Sequence, residues 1–121
     1  MKVLILDKNG NMEVKNISCK GKDIEVASWD YIGEYITWSC FNNDRTLRCI
    51  YDNVFGWDIP KEDLYKYKNK YVAKIFPASS SVYNTVVITG YRNGKSCDVR
   101  KRDIEYIRGI INDEKAIRRS E

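Results

Sequence analysis

Apolar and polar positions alternate over short stretches for most of this chain and switch to a helical spacing only near its end. The strongest β signal is Thr85-Val86-Val87-Ile88-Thr89, β-branched throughout. Branching at Cβ stiffens χ1 and suits a pleated surface, so this run predicts a strand, central in a sheet. Asn93-Gly94 follows, the pair best able to take the positive φ angles of a type I′ turn, so the chain is expected to reverse there. Beyond the basic residues Lys95, Arg100, Lys101 and Arg102, Ile104, Ile107 and Ile111 recur at i, i+3 and i+7 and predict a helix. Asp103 and Glu105 fall in its first turn, where they oppose the positive end of the helix dipole.

The first half reads as two hairpins. Lys2 to Leu6 is a β-rich run ended by Asp7-Lys8-Asn9-Gly10-Asn11, and Met12 to Ser18 returns as a second strand. Ile24, Val26 and Ser28 face one way and Glu25 and Ala27 the other, an extended pattern. Glu34 to Phe41 and Thr46 to Tyr51 pair around Asn42-Asn43-Asp44, with Leu47, Cys49 and Tyr51 on one side. Asp52 to Pro60 is a loop carrying Phe55 and Trp57, which either close over the core or present a stacking or subunit-contact surface.

Pro60 opens a short helical turn, after which Lys66, Lys68 and Lys70 alternate with tyrosines. Lys70 to Phe76 reads as a further strand and Ala78 to Ser81 as a polar loop. Strand follows strand with one good helix at the end, and 121 residues fit one domain, residues 1–121. The expected class is α+β, a mostly antiparallel curved sheet or partly open barrel of six to eight strands with a C-terminal helix across it.

Charge changes this picture by dividing the chain. Residues 1–60 hold 7 Lys/Arg against 9 Asp/Glu, a net of −2, whereas residues 61–121 hold 14 against 8, a net of +6. A cationic second half suits an anionic partner, and a solvated surface produces the same asymmetry. The absence of histidine removes the commonest general base and metal ligand, which argues against an enzyme, and nothing local in the sequence suggests a Cys-Lys or Ser-Lys pair in its place. Cys19, Cys40, Cys49 and Cys97 lack the Cys-x-x-Cys spacing of zinc sites and read as reduced thiols in a cytoplasmic protein. No cofactor or metal is implied. No run approaches the roughly 20 apolar residues that cross a bilayer, so neither a membrane span nor a signal peptide is expected.

Binding chemistry is better represented. A nucleotide needs cations or backbone N–H groups for phosphate, a plane for the base, and an amide to read a base edge. Tyr83, Asn84, Tyr91, Arg92, Asn93, Lys95, Arg100, Arg102 and Arg108 supply all three kinds within one supersecondary unit. Gly109, flanked by Ile107, Ile110 and Ile111, leaves the helix free either to self-associate or simply to pack on the sheet. Two functions follow as expectations: capture of a small phosphorylated nucleotide, or a basic interaction module that docks on a defence protein or a nucleic acid.

An aromatic before a strand (Tyr83), Asn93 beside a turn and a C-terminal helix with Arg108 together resemble the phage Thoeris anti-defence family, over residues 70 to 119. That resemblance implies a small non-enzymatic sponge that holds a cyclic ADP-ribose signal at the interface of a homo-oligomer, in the cytoplasm of a bacterial host. It would have Tyr83 stack on the adenine, Asn93 hydrogen-bond and Arg108 meet phosphate.

Overall fold

The computed structural model describes residues 1–33, 37–53, 57–77 and 82–119. Six strands form one open, antiparallel sheet: β1 (Lys2–Leu6), β2 (Met12–Asn16), β3 (Thr37–Phe41), β4 (Leu47–Asp52), β5 (Val86–Arg92) and β6 (Lys95–Cys97). Their order is β2-β1-β5-β4-β3, with β6 beside β5 at the far end of the β1 edge. The class is α+β as expected, and the sheet is open rather than closed into a barrel. The β-branched run does sit centrally, pairing Leu4 with Ile88 on one side and Cys49 with Ile88 on the other.

Alternation along these strands gives the sheet two unlike faces. Leu4, Leu6, Leu47, Cys49, Val86 and Ile88 point to the main core, which α4 (Lys101–Arg119) closes with Ile104, Ile107 and Ile111. Completely burying an aliphatic side chain contributes about 1.5–3 kcal/mol, so this stripe is what fixes the helix on the sheet. On the other face Val3, Ile50 and Val87 are buried under Ile17 and Ile24, with the polar Thr89 and Asp52 buried on the same face. It turns polar toward Arg48 and Tyr91.

Turn chemistry follows the sequence. Asn93 and Gly94 take φ of 54° and 76°, as a type I′ turn demands. The Asp7 carboxylate accepts from the backbone N–H groups of Asn9 and Asn11 at 2.8 and 3.0 Å and closes the first hairpin. Gly90 allows β6 to approach: a Cβ there would lie 2.5 Å from the Asp98 carbonyl oxygen.

Two expected strands are helical. Residues 24–28 do not extend: α1 (Ile24–Ala27) and α2 (Trp29–Ile32) form instead, because Asp23 caps the chain by accepting from Glu25 N–H at 2.8 Å. Lys70 to Phe76 likewise contains a single turn, α3 (Val72–Ile75), fastened when Asn69 Oδ1 accepts from Val72 N–H at 3.3 Å. Asn69 is 1% exposed, and its Nδ2 donates to the Leu6 and Asn84 carbonyls, so one amide ties the end of β1, the approach to β5 and α3 together. A 3-10 segment spans Lys61–Tyr67, with Pro60 as the residue before it. Phe55 and the Ala78–Ser81 loop lie outside the described residues, while Trp57 is 74% exposed and does not close over the core. No helix among the described residues is long and apolar enough to cross a membrane.

Candidate functional site

The nine residues picked out by sequence do not meet in one place within a chain. Asn84 precedes β5, and from Val86 to Tyr91 the strand advances five residues, roughly 17 Å at strand rise, so the two ends of the stretch serve different surfaces. Tyr83 is half-buried in a bridge with Lys68, and Asn84, at φ 60°, works through its backbone: its N–H donates to the Tyr67 carbonyl at 2.7 Å. Asn93 is exposed at the turn tip, and Arg92 Nε donates to Cys97 Sγ at 3.2 Å. Arg100 pairs with Asp103 at 3.5 Å, and its N–H donates to the same carboxylate, a capping role at the start of α4. Arg102 is exposed on that first turn, and Arg108 lies farther along α4 beside a shallow depression shared with Gly10, Asn11 and Lys115.

Of the nine, Tyr91 and Lys95 line a common hollow. It is a recess of about 430 Å³ on the polar end of the second sheet face, lined also by Asp23, Ser39, Phe41, Arg48, Gly94 and Ser96. At its centre is Arg48, whose side chain is 15% exposed. Its Nε donates to Ser39 Oγ at 2.8 Å, Nη1 to Ser96 Oγ at 2.9 Å and Nη2 to Glu25 Oε2 at 3.2 Å. Thr37 Oγ1 in turn donates to the other oxygen of Glu25. A guanidinium carries five N–H donors in a rigid fork, and three described partners use three of them.

The aromatic wall stands beside this fork. Phe41 and Tyr91 pack with ring centroids 4.7 Å apart and planes tilted by 60°, and the Arg45 guanidinium lies 4.5 Å from the Phe41 centroid. Four strands and one helical turn thus contribute: Ser39 and Phe41 from β3, Arg48 from β4, Tyr91 from β5, Ser96 from β6 and Glu25 from α1.

Sequence reasoning missed Arg48, Phe41, Ser39 and Ser96. Three of the four lie in the half whose net charge is negative, and Arg48 was hidden between Leu47 and Cys49, the apolar face of its own strand. The available signal was that β4 alternates apolar against Arg48, Ile50 and Asp52, a face only partly apolar.

A second recess lies on the opposite face and at the opposite end of β5. Lys8, Asn9, Tyr65, Lys66, Lys68, Lys70, Tyr71 and Arg118 line about 380 Å³ there. All four cysteines are free thiols; burial pushes the Cys49 thiol up, reinforced by the neighbouring Cys40 thiol. Among the described residues no three His, Cys, Asp or Glu side chains gather as a metal-binding group. Compared with known proteins, the chain matches no family model, no curated protein and no solved structure, so the site rests on its own residues.

Proposed function

We propose that the protein is a non-catalytic binding protein that takes up a small phosphorylated nucleotide in the hollow around Arg48 and returns it unaltered. One observation carries this reading: a guanidinium already withdrawn from water and pinned by Ser39, Ser96 and Glu25, standing beside an aromatic pair and Lys95. Pre-organised donors lose little freedom when they bind, and a bidentate fork recognises phosphate oxygens as a lone ammonium cannot. The volume also falls in the range of small-ligand sites.

In this reading the N–H groups of Arg48 that have no partner among the described residues and the Lys95 ammonium take phosphate, while Tyr91 and Phe41 flank the base. Glu25 offsets the Arg48 charge and fixes its plane, and Lys95 restores the net attraction for an anion. The finer form is a sponge for a cyclic ADP-ribose-type immune signal, closed by a second copy of the chain, as the family resemblance implies.

Thermal unfolding with cyclic ADP-ribose isomers and cyclic dinucleotides tests it. A true ligand at a hundred times its Kd raises Tm by roughly 10 °C and is recovered chemically unchanged after heat release. Native mass spectrometry of protein made in cells reads the copy number and any retained ligand. No stabilisation by any of these compounds overturns the reading.

A further inference from the structure

The recess around Lys68 differs from the hollow in kind, and its chemistry leads to a different guest. Five cationic side chains line it, Lys8, Lys66, Lys68, Lys70 and Arg118, and no carboxylate does. Three of these are partly engaged: Lys66 pairs with Asp63 at 3.1 Å, Arg118 with Glu114 at 3.2 Å, and Lys8 Nζ donates to the Lys66 carbonyl at 3.1 Å. Lys68 and Lys70 form no ion pair among the described residues. Tyr65, on the same wall, is 66% exposed and leaves a ring face for a flat partner.

The positive charge continues beyond this recess. Lys115 and Tyr71 crowd Gly10, where a Cβ would come within 2.8 Å of both, and Lys115 also lines the neighbouring depression with Arg108. Arg108 and Arg118 are ten residues apart on α4, about 15 Å along the helix. The cations therefore form a track, longer than one phosphate group occupies, with aromatic rings beside it.

We propose that this track is the docking surface for single-stranded nucleic acid, the lysines and arginines following the phosphates and Tyr65 stacking on an unpaired base. Lysine ammoniums are hydrated point charges that suit a repeating anion without fixed geometry, and base stacking on an exposed ring tolerates any sequence. An acidic protein would need apolar anchors at the centre of its footprint, and the recess offers chiefly lysines and tyrosine. A paired duplex keeps its bases stacked and gives Tyr65 nothing to cover. This surface is independent of the hollow around Arg48.

Fluorescence anisotropy with a labelled single-stranded DNA oligonucleotide tests the proposal on the intact chain. With about four or five phosphates neutralised, affinity falls on the order of 60-fold between ~50 and ~200 mM salt. The Lys68→Glu/Lys70→Glu variant loses at least ~10-fold in affinity with unchanged Tm, and Tyr65→Ala loses ~5- to 100-fold. The control Lys20→Glu/Lys22→Glu makes the same change of net charge at exposed positions near α1 and keeps full affinity. Binding that is independent of salt, equal for both charge-reversal variants, or as tight for duplex as for single strand overturns the proposal. So does capture of an acidic protein in preference to the oligonucleotide.

Discussion

The hollow around Arg48 and the recess around Lys68 both gather positive charge, yet they hold it in opposite ways. In the hollow one guanidinium is largely desolvated and locked by three side-chain partners from three elements. In the recess the charge is spread over four ammoniums and the Arg118 guanidinium around the end of α4 and the 3-10 segment. The first arrangement gives geometry, and therefore selects among small molecules; the second gives field, and therefore attracts long anions with little regard to sequence. Their separation by the full length of β5 means that each can be disturbed without the other.

The largest separation of the two comes from Gly90→Val. A side chain there meets the Asp98 carbonyl, which is backbone and cannot swing aside. Stability falls by about 3 kcal/mol, the upper end of overpacking effects, in urea unfolding. As β6 shifts, Ser96 leaves Arg48 and nucleotide stabilisation disappears, whereas oligonucleotide affinity persists.

Asn69→Leu does the reverse. It strips the Leu6 and Asn84 carbonyls and the Val72 N–H of their buried partner, for a loss of about 2 kcal/mol. Lys68 and Lys70 flank this amide, so oligonucleotide binding weakens while the Arg48 hollow is kept. If both ligands respond equally to either variant, the two surfaces are not independent.

Arg48→Lys retains charge and removes the fork. Stability drops by about 1 kcal/mol, and the nucleotide-induced rise in Tm vanishes, with no change in anisotropy titrations.

The smallest effect is a pH dependence at the Lys8 turn. Burial pushes the Asp7 carboxyl up, but hydrogen bonds from Asn11 and Asn9 and the Lys115 charge outweigh it and hold the group below its ordinary value of 3.8. A carboxyl lowered by folding stabilises the native state above its unfolded pKa, and that contribution is lost as pH falls through the folded value. Acid unfolding below pH ~4 is accordingly less steep in Asp7→Asn, and wild-type and variant stabilities converge in strong acid.

Patterns carried through a whole long element were sufficient, whereas the short alternation over Ile24, Val26 and Ser28 lies on helical turns. Alternation in Leu47-Cys49-Tyr51, β-branching in Val86-Val87-Ile88 and the isoleucine stripe of α4 all place their elements correctly, because each repeats enough to reveal which side is buried. Single helical turns were not legible. Ile24–Ala27 and Val72–Ile75 are four residues each, too short for a period of 3.6, and Asn69, which fastens the second, is itself held by tertiary hydrogen bonds to the Leu6 and Asn84 carbonyls.

The site failed for a related reason. Tyr83 through Arg108 are near one another in sequence but not in space, because a strand carries its ends apart. Apart from Gly94, Lys95 and Ser96, the residues that assemble around Tyr91 come from β3, β4 and the start of α1, far away in the chain. The alternating Lys66, Lys68 and Lys70 were visible as a pattern, but nothing local indicated that Lys8 and Arg118 would join them.

The interior position of β1, between β2 and β5, has a kinetic consequence. Its Leu4 is opposite Ile88, 84 residues later (88 − 4), so β1 must wait for a distant strand before its second edge is covered. Closing so long a loop is slow, and folding is expected on the millisecond-to-second scale of sheets with distant pairings. Until β5 leaves the ribosome, the β1–β2 ribbon is an uncovered edge, the segment most exposed to chaperones and to mispairing with other nascent chains.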